Sequence, residues 1–205
     1  MNAFFDPQLF GSVFVTLLVI MDPPGALPIF LALTGSLTQK QKIAAARRAS
    51  LVALGVIAAF AVFGQYILSY LHISLPALQG AGGLLLLIVA LQLLTGAESE
   101  QHADAGVNVA LVPLGTPLLA GPGAIVATML AVQSSTRAGQ YLAVAVALVA
   151  ALVVVWLFLR FASKVHGLLK DYGTVLLTRI AGLLLSAIAV QMVADSVRAF
   201  VTGTA

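Results

Sequence analysis

Cysteine is absent from this 205-residue chain, which excludes disulfides and thiolate metal sites. Charge is nearly as scarce, with Asp, Glu, Lys and Arg making up 8% of the residues. Soluble domains carry roughly 25%, so this shortage excludes an ordinary water-soluble fold. Histidine offers no substitute metal set: His72, His102 and His166 are far apart and fall between the apolar runs, without metal-ligand spacing. There is no Gly-x-Ser-x-Gly elbow, no His-Glu-x-x-His pair and no Walker-type phosphate loop. These absences argue against an enzyme and against ATP-driven work by this chain alone. The segment Met1 to Asp6 has no basic stretch and no small-residue cleavage site, so the first apolar run is expected to be a retained span rather than a signal peptide.

What is present is apolar length. Hydrophobic residues make up 61% of the chain, and six runs of about 20 residues or more can cross a ~30 Å hydrocarbon core. They cover approximately 9–33, 48–71, 75–95, 110–133, 141–161 and 175–200. Between them lie short connections, apart from an acidic stretch from Gly96 to Asn108 and a basic one from Arg160 to Gly173. The expected fold is an all-α membrane protein of six transmembrane helices.

An internal repeat divides the chain. Pro24-Gly25-Ala26 aligns with Pro122-Gly123-Ala124 at an offset of 98 residues, and Gly83-Leu84-Leu85-Leu86 with Gly182-Leu183-Leu184-Leu185 at 99. The second match also sets Ala90 on Ala189 and Gln92 on Gln191. Each half holds three spans, an odd number, so the halves enter the membrane in opposite directions. The expected organisation is 1–96 as one three-helix repeat, 97–108 as a linker and 109–205 as the inverted second repeat, with helices 1 and 4 broken. Lys40, Lys42, Arg47, Arg48, Arg160, Lys164, Lys170 and Arg179 fall on one side, against Arg137 and Arg198 on the other. The positive-inside rule makes the first side, with the linker, cytoplasmic. Both termini are then periplasmic, in a multi-pass inner-membrane protein.

The breaks carry the chemistry. Asp22-Pro23-Pro24-Gly25-Ala26 and Ala120-Gly121-Pro122-Gly123-Ala124 interrupt spans with residues that release backbone polar groups lipid cannot satisfy. Matched breaks in two halves point to a transporter binding site. A helix restarting after proline offers amides and a positive dipole end, which suit an α-carboxylate. Carbonyls of the preceding half-helices suit an ammonium group or Na⁺. Asp22, an acidic group at mid-bilayer depth, could bind the ammonium, hold Na⁺ or shuttle the coupling proton; its plain structural role is an N-cap. Packing kinks are the bland alternative for the breaks themselves. Gln92 and Gln191 could line the site, although interhelical hydrogen bonding is their simpler role. Thr116 could line the fourth span or cap it, and Asn108 is the better candidate for the cap. Trp156 and Tyr141 suit interface anchors.

Asp22-Pro23-Pro24-Gly25 with Pro28-Ile29-Phe30, and Asn108 through Pro117 running into Ala120-Gly121-Pro122-Gly123, resemble the MarC family of bacterial and archaeal membrane proteins. Ile73-Ser74-Leu75-Pro76 leading to Ala81-Gly82-Gly83 is similar to it too. Two departures stand out: Gln79 lies where relatives often carry a basic residue, and their third-to-fourth connection is often longer. The resemblance implies transport of small neutral amino acids, glycine and alanine, for some members; others were named for antibiotic resistance. The leading expectation is a secondary transporter of that class, coupled to H⁺ or Na⁺, with no cofactor beyond a bound Na⁺. The alternatives are a non-transporting membrane protein of a stress or resistance response, or a channel. Homo-oligomers are permitted by the small-residue helix faces without being required.

Overall fold

Asp6 accepts a hydrogen bond from the Leu9 amide at 3.1 Å, with Pro7 in the first turn, and so starts α1, Pro7–Met21. Proline there loses nothing, because its missing N–H would have no helical partner. Asp22 ends the helix in a left-handed conformation (φ 36°, ψ 69°), and α2, Pro23–Leu33, follows at once. Thr38 and Gln41 form a capping box at the head of α3, Gln39–Tyr70, each side chain satisfying an orphan amide of that turn. After a tight turn comes α4, Leu75–Thr95, and the next helix among the described residues is α5, Pro122–Gln133. The chain closes with α6, Ala138–Arg160, and α7, Ala162–Thr202. The computed structural model describes residues 5–35, 37–95 and 119–203, and no strand occurs among them.

Among the described residues, five helical stretches, counting Pro7–Leu27 across α1 and α2 as one, are long and apolar enough to cross a membrane, and Gly123–Gln133 is a shorter apolar helix. Their outer surfaces expose Phe63, Leu84, Ile88, Val149, Leu183 and Val190. In water such a surface would mark an interface; around a bundle of spans it is the face turned to lipid.

Two expected boundaries move. α3 begins nine residues before the apolar run, because the capping box and the basic residues Lys40, Lys42, Arg47 and Arg48 carry the helix out of the hydrocarbon. Its 32 residues reach about 48 Å at 1.5 Å each, well beyond a ~30 Å core. The basic stretch from Arg160 to Gly173 is no loop: α7 starts at Ala162 and runs 41 residues, so only Phe161 separates it from α6. Hydropathy finds where a helix enters lipid, not where it starts. The linker at 97–108, with Asn108 and Thr116, lies outside the described residues.

The core is built from small residues. Ala46, Ala49 and Ala53 of α3 meet Ala147, Ala151 and Val155 of α6 around Leu17, Met21, Leu27 and Phe30. A second cluster joins Leu86, Ala90 and Leu93 of α4 to Leu185, Ala189 and Met192 of α7, with Val126 of α5. Small side chains let helix backbones approach, which is how helices gain packing energy where lipid is as apolar as they are. α1 lies along α6, and α3 also lies along α6. α2 contacts α6 and α7, while α5 contacts α3 and α4. The α4–α7 contact has a reciprocal form. A Cβ on Gly83 would lie 2.9 Å from the Ala189 carbonyl oxygen, and one on Gly182 would lie 3.2 Å from that of Ala90.

Candidate functional site at the helix breaks

Both breaks are buried in the centre of the bundle. Asp22 is 6% exposed, Pro23 and Gly25 are buried, Ala26 is 3% exposed, and Pro24 is half-buried. At the second break Ala120, Gly123 and Ala124 are buried and Gly121 is half-buried. Gly121 stands at the head of α5 with no side-chain cap, and Pro122 takes the first turn.

The two breaks come together. A Cβ on Gly123 would overlap Leu86 Cδ2 and lie 3.3 Å from Ile20 Cγ2, and Ile20 is two residues before Asp22. Leu17, Met21, Ala26, Leu119, Ala120 and Ala124 share one buried cluster. At the first break, a Cβ on Gly25 would overlap Asp22 Oδ2 and lie 3.2 Å from Thr178 Oγ1 of α7. Glycine at both places serves close approach, not a positive φ. The Asp22 carboxylate sits in a slot made by the bare Gly25 backbone and Thr178.

The amide ends are sparer than the sequence suggests. Proline has no N–H, and the Ala26 and Ala124 amides bond to the carbonyls of Asp22 and Gly121, each at 3.0 Å. The first amides each half-helix can turn outward are those of Gly25 and Gly123. These positions correspond in the 98-residue repeat.

A cavity of about 560 Å³ approaches the breaks from one end of the bundle, between α1, α4, α5 and α7. That size suits a small-molecule site, typically about 300–1,000 Å³. Its polar lining is Ser12, Thr16, Gln79, Gln133, Ser134 and Asp195. Leu17 is its innermost residue on α1, five residues or about 7.5 Å short of Asp22. On α5 the lining begins at Ala127, about 9 Å beyond Gly121.

Of the expected site residues, those of the two breaks are brought together, while the glutamines are not. Gln92 is half-buried on α4. Gln191 is exposed, and its amide donates to Asp195 Oδ1 at 2.9 Å within its own helix rather than to a neighbouring one. The cavity lining was missed by sequence reasoning. Two signals could have found it: Ser12 and Thr16 stand one turn apart on a helix otherwise apolar beyond Gln8, and Asp195 is the sole acidic residue of Val175–Thr202.

Comparison with known proteins identifies the family. The sequence model of the MarC family integral membrane proteins matches residues 7–201. A UPF0056 membrane protein of Methanocaldococcus jannaschii is 38% identical over 200 residues, covering 94% of this chain and 98% of its own length. Others are a UPF0056 membrane protein of Archaeoglobus fulgidus, 35% identical over 92% of each chain, and YvbG of Bacillus subtilis, 32% identical over 88% of this chain and 90% of its own. No solved structure matches this chain. With a family match over nearly its whole length and relatives of that similarity, the chain belongs to the MarC family of integral membrane proteins.

Proposed function

We propose that this protein is a secondary transporter of small neutral amino acids, of the glycine and alanine class, driven by an H⁺ or Na⁺ gradient through alternating access. The observation that carries the reading is the meeting of two proline-headed half-helices at the buried centre, with one cavity reaching toward them from a single end. A site near the midplane, reached from one side at a time, is what alternating access requires.

Substrate size follows from the walls. The lining at the breaks is Gly, Ala and Pro, with Leu17, Ile20 and Leu86 close by, and space is too tight for a bulky side chain. The Gly25 and Gly123 amides suit the carboxylate, and Asp22 suits the ammonium group or the coupling ion. No cofactor is part of this proposal beyond a bound Na⁺.

The reciprocal contacts support an inverted repeat. Gly83 faces Ala189 as Gly182 faces Ala90, and both pairs are related by the 99-residue offset. α2 on α7 corresponds to α5 on α4, and α2 on α6 to α5 on α3. A pseudo-twofold axis in the membrane plane generates pairs of this kind, and rocking about it would close the present cavity and open its counterpart at the other end.

The test is gradient-dependent uptake of labelled glycine or alanine by purified protein in liposomes. Accumulation above empty liposomes, abolished by Asp22→Ala and by Gly123→Leu, is the expected result. Uptake no greater than that of empty liposomes for every small amino acid, under both H⁺ and Na⁺ gradients, would end the proposal.

A further inference from the structure

A second cavity, of about 250 Å³, lies between α3 and α6, away from the breaks. Its walls are two facing stripes of identical spacing: Arg47, Ser50, Leu51 and Leu54 on α3, and Val149, Leu152, Val153 and Trp156 on α6. In each stripe the positions are i, i+3, i+4 and i+7, one face of a helix. Gly64, late in α3, packs against Met129, near the end of α5, and α6 starts just beyond that end at Ala138; α3 and α6 therefore run antiparallel, so Arg47 and Ser50 lie level with Trp156, while Leu54 lies level with Val149. The groove thus has a head formed by Arg47, Ser50 and Trp156 and a trough about 10 Å long, seven residues at ~1.5 Å each, and the wall it exposes is apolar throughout.

The head holds buried donors with no partner among the described residues. Ser50 is 8% exposed, and its hydroxyl bonds to nothing among the described residues; the same is true of the Trp156 ring N–H. Helical Ser and Thr usually return the hydroxyl to a carbonyl one turn back. Thr95 and Thr128 do so here, as do Thr34 and Ser135 just past the ends of their helices. Ser50 does not, and it lines the cavity. Buried polar atoms in folded proteins are nearly always satisfied, so two orphan donors in one recess point to an acceptor from outside the chain.

Charge selects the acceptor. The Arg160 guanidinium lies 5.0 Å from the centre of the Trp156 ring and 5.6 Å from that of Phe161, which places a second cation beside the head. None of the lining residues is acidic. The trough residues Leu51, Val149 and Val153 are exposed on the lipid-facing surface, so the groove opens sideways to the bilayer.

We infer that this groove binds an anionic phospholipid. The phosphate pairs with Arg47 and Arg160 and accepts hydrogen bonds from Ser50 Oγ and Trp156 Nε1 once those side chains turn toward the groove, and an acyl chain lies along the apolar wall of Leu51, Leu54, Val149 and Val153. Basic recesses between spans, level with the lipid headgroups, suit this ligand.

Trp156 is the sole tryptophan of the chain, so its fluorescence reports on the groove. Full-length protein in phosphatidylcholine vesicles is titrated with acyl-brominated phosphatidylglycerol or acyl-brominated phosphatidylcholine. Half-maximal quenching is expected at an anionic-lipid fraction about fivefold below that for phosphatidylcholine, and Arg47→Gln should bring the two together. Arg47 is exposed, so the fold does not depend on it, and Ser50→Ala gives a second, conservative variant expected to weaken the preference. Equal quenching by both lipids overturns the inference, as does a preference that both variants retain. Relief of quenching by inorganic phosphate would show a plain anion site and overturn the lipid assignment. Weak quenching by both lipids, from a second copy of the chain covering the groove, would do the same.

Discussion

Asp22 meets two separate demands at one position. Its backbone is left-handed at φ 36°, a conformation that Asn and Asp tolerate far better than Ala or β-branched residues. Its carboxylate lies buried against Gly25 and Thr178. Asp22→Asn separates the two, keeping size and backbone preference while removing the charge. Under the transport proposal, Asp22→Asn should insert and unfold like the parent yet lose about 10–100-fold in substrate affinity or coupling, as expected when a charged hydrogen-bonding partner is removed. A variant with undiminished coupled uptake would reduce Asp22 to a structural turn. At Gly25 and Gly123 the added methyl of alanine overlaps Asp22 Oδ2 and Leu86 Cδ2, respectively. Gly123→Ala should be the milder change, because a leucine tip can rotate away whereas the carboxylate is part of the site. Uptake by Gly25→Ala and Gly123→Ala, normalised to inserted protein, checks that order.

Among helices, the decisive contact is α4 on α7. Overpacking costs about 1–3 kcal/mol, and the cost is highest where the obstacle is backbone. Gly83→Ala drives a methyl to 2.9 Å from the Ala189 carbonyl and 2.8 Å from Val193, whereas Gly182→Ala meets its neighbours at 3.1–3.2 Å. Gly83→Ala should therefore lower the unfolding temperature in detergent more than Gly182→Ala does. Gly11→Ala and Gly55→Ala, with nothing within 4 Å, should leave it unchanged or raised. If all four shift alike, small-residue packing does not hold these helices together. The glycine and alanine spacing that makes this contact was legible in the sequence through its repeat, and so were the break at Asp22 and the helix start at Pro122. The helical start of α7 was not, because Lys164, His166 and Lys170 depress hydropathy without hindering a helix. Neither was the end-on cavity. Ser12, Thr16, Gln133 and Asp195 are scattered over three helices, and only the packing of those helices makes them neighbours.

For the molecule as a whole, the lack of cysteine becomes an experimental asset, since any introduced thiol is unique. The basic residues predict that Lys40→Cys and Lys164→Cys react from the cytoplasmic side and Arg137→Cys from the opposite one. Ser12→Cys, in the cavity, should label from the same side as Arg137→Cys, and Ala124→Cys, fully buried, should resist reagent from either side. Labelling of Lys40→Cys and Arg137→Cys from one common side would overturn the proposed topology. The clasp between α4 and α7 carries one more implication. Because Gly83 grips Ala189 in the way Gly182 grips Ala90, each half offers its mate a surface closely resembling the one it receives. A polypeptide half as long, inserted in both orientations, could use that same face to recognise its own twin. Fusing two such copies end to end would then fix as one chain a union that began as self-association.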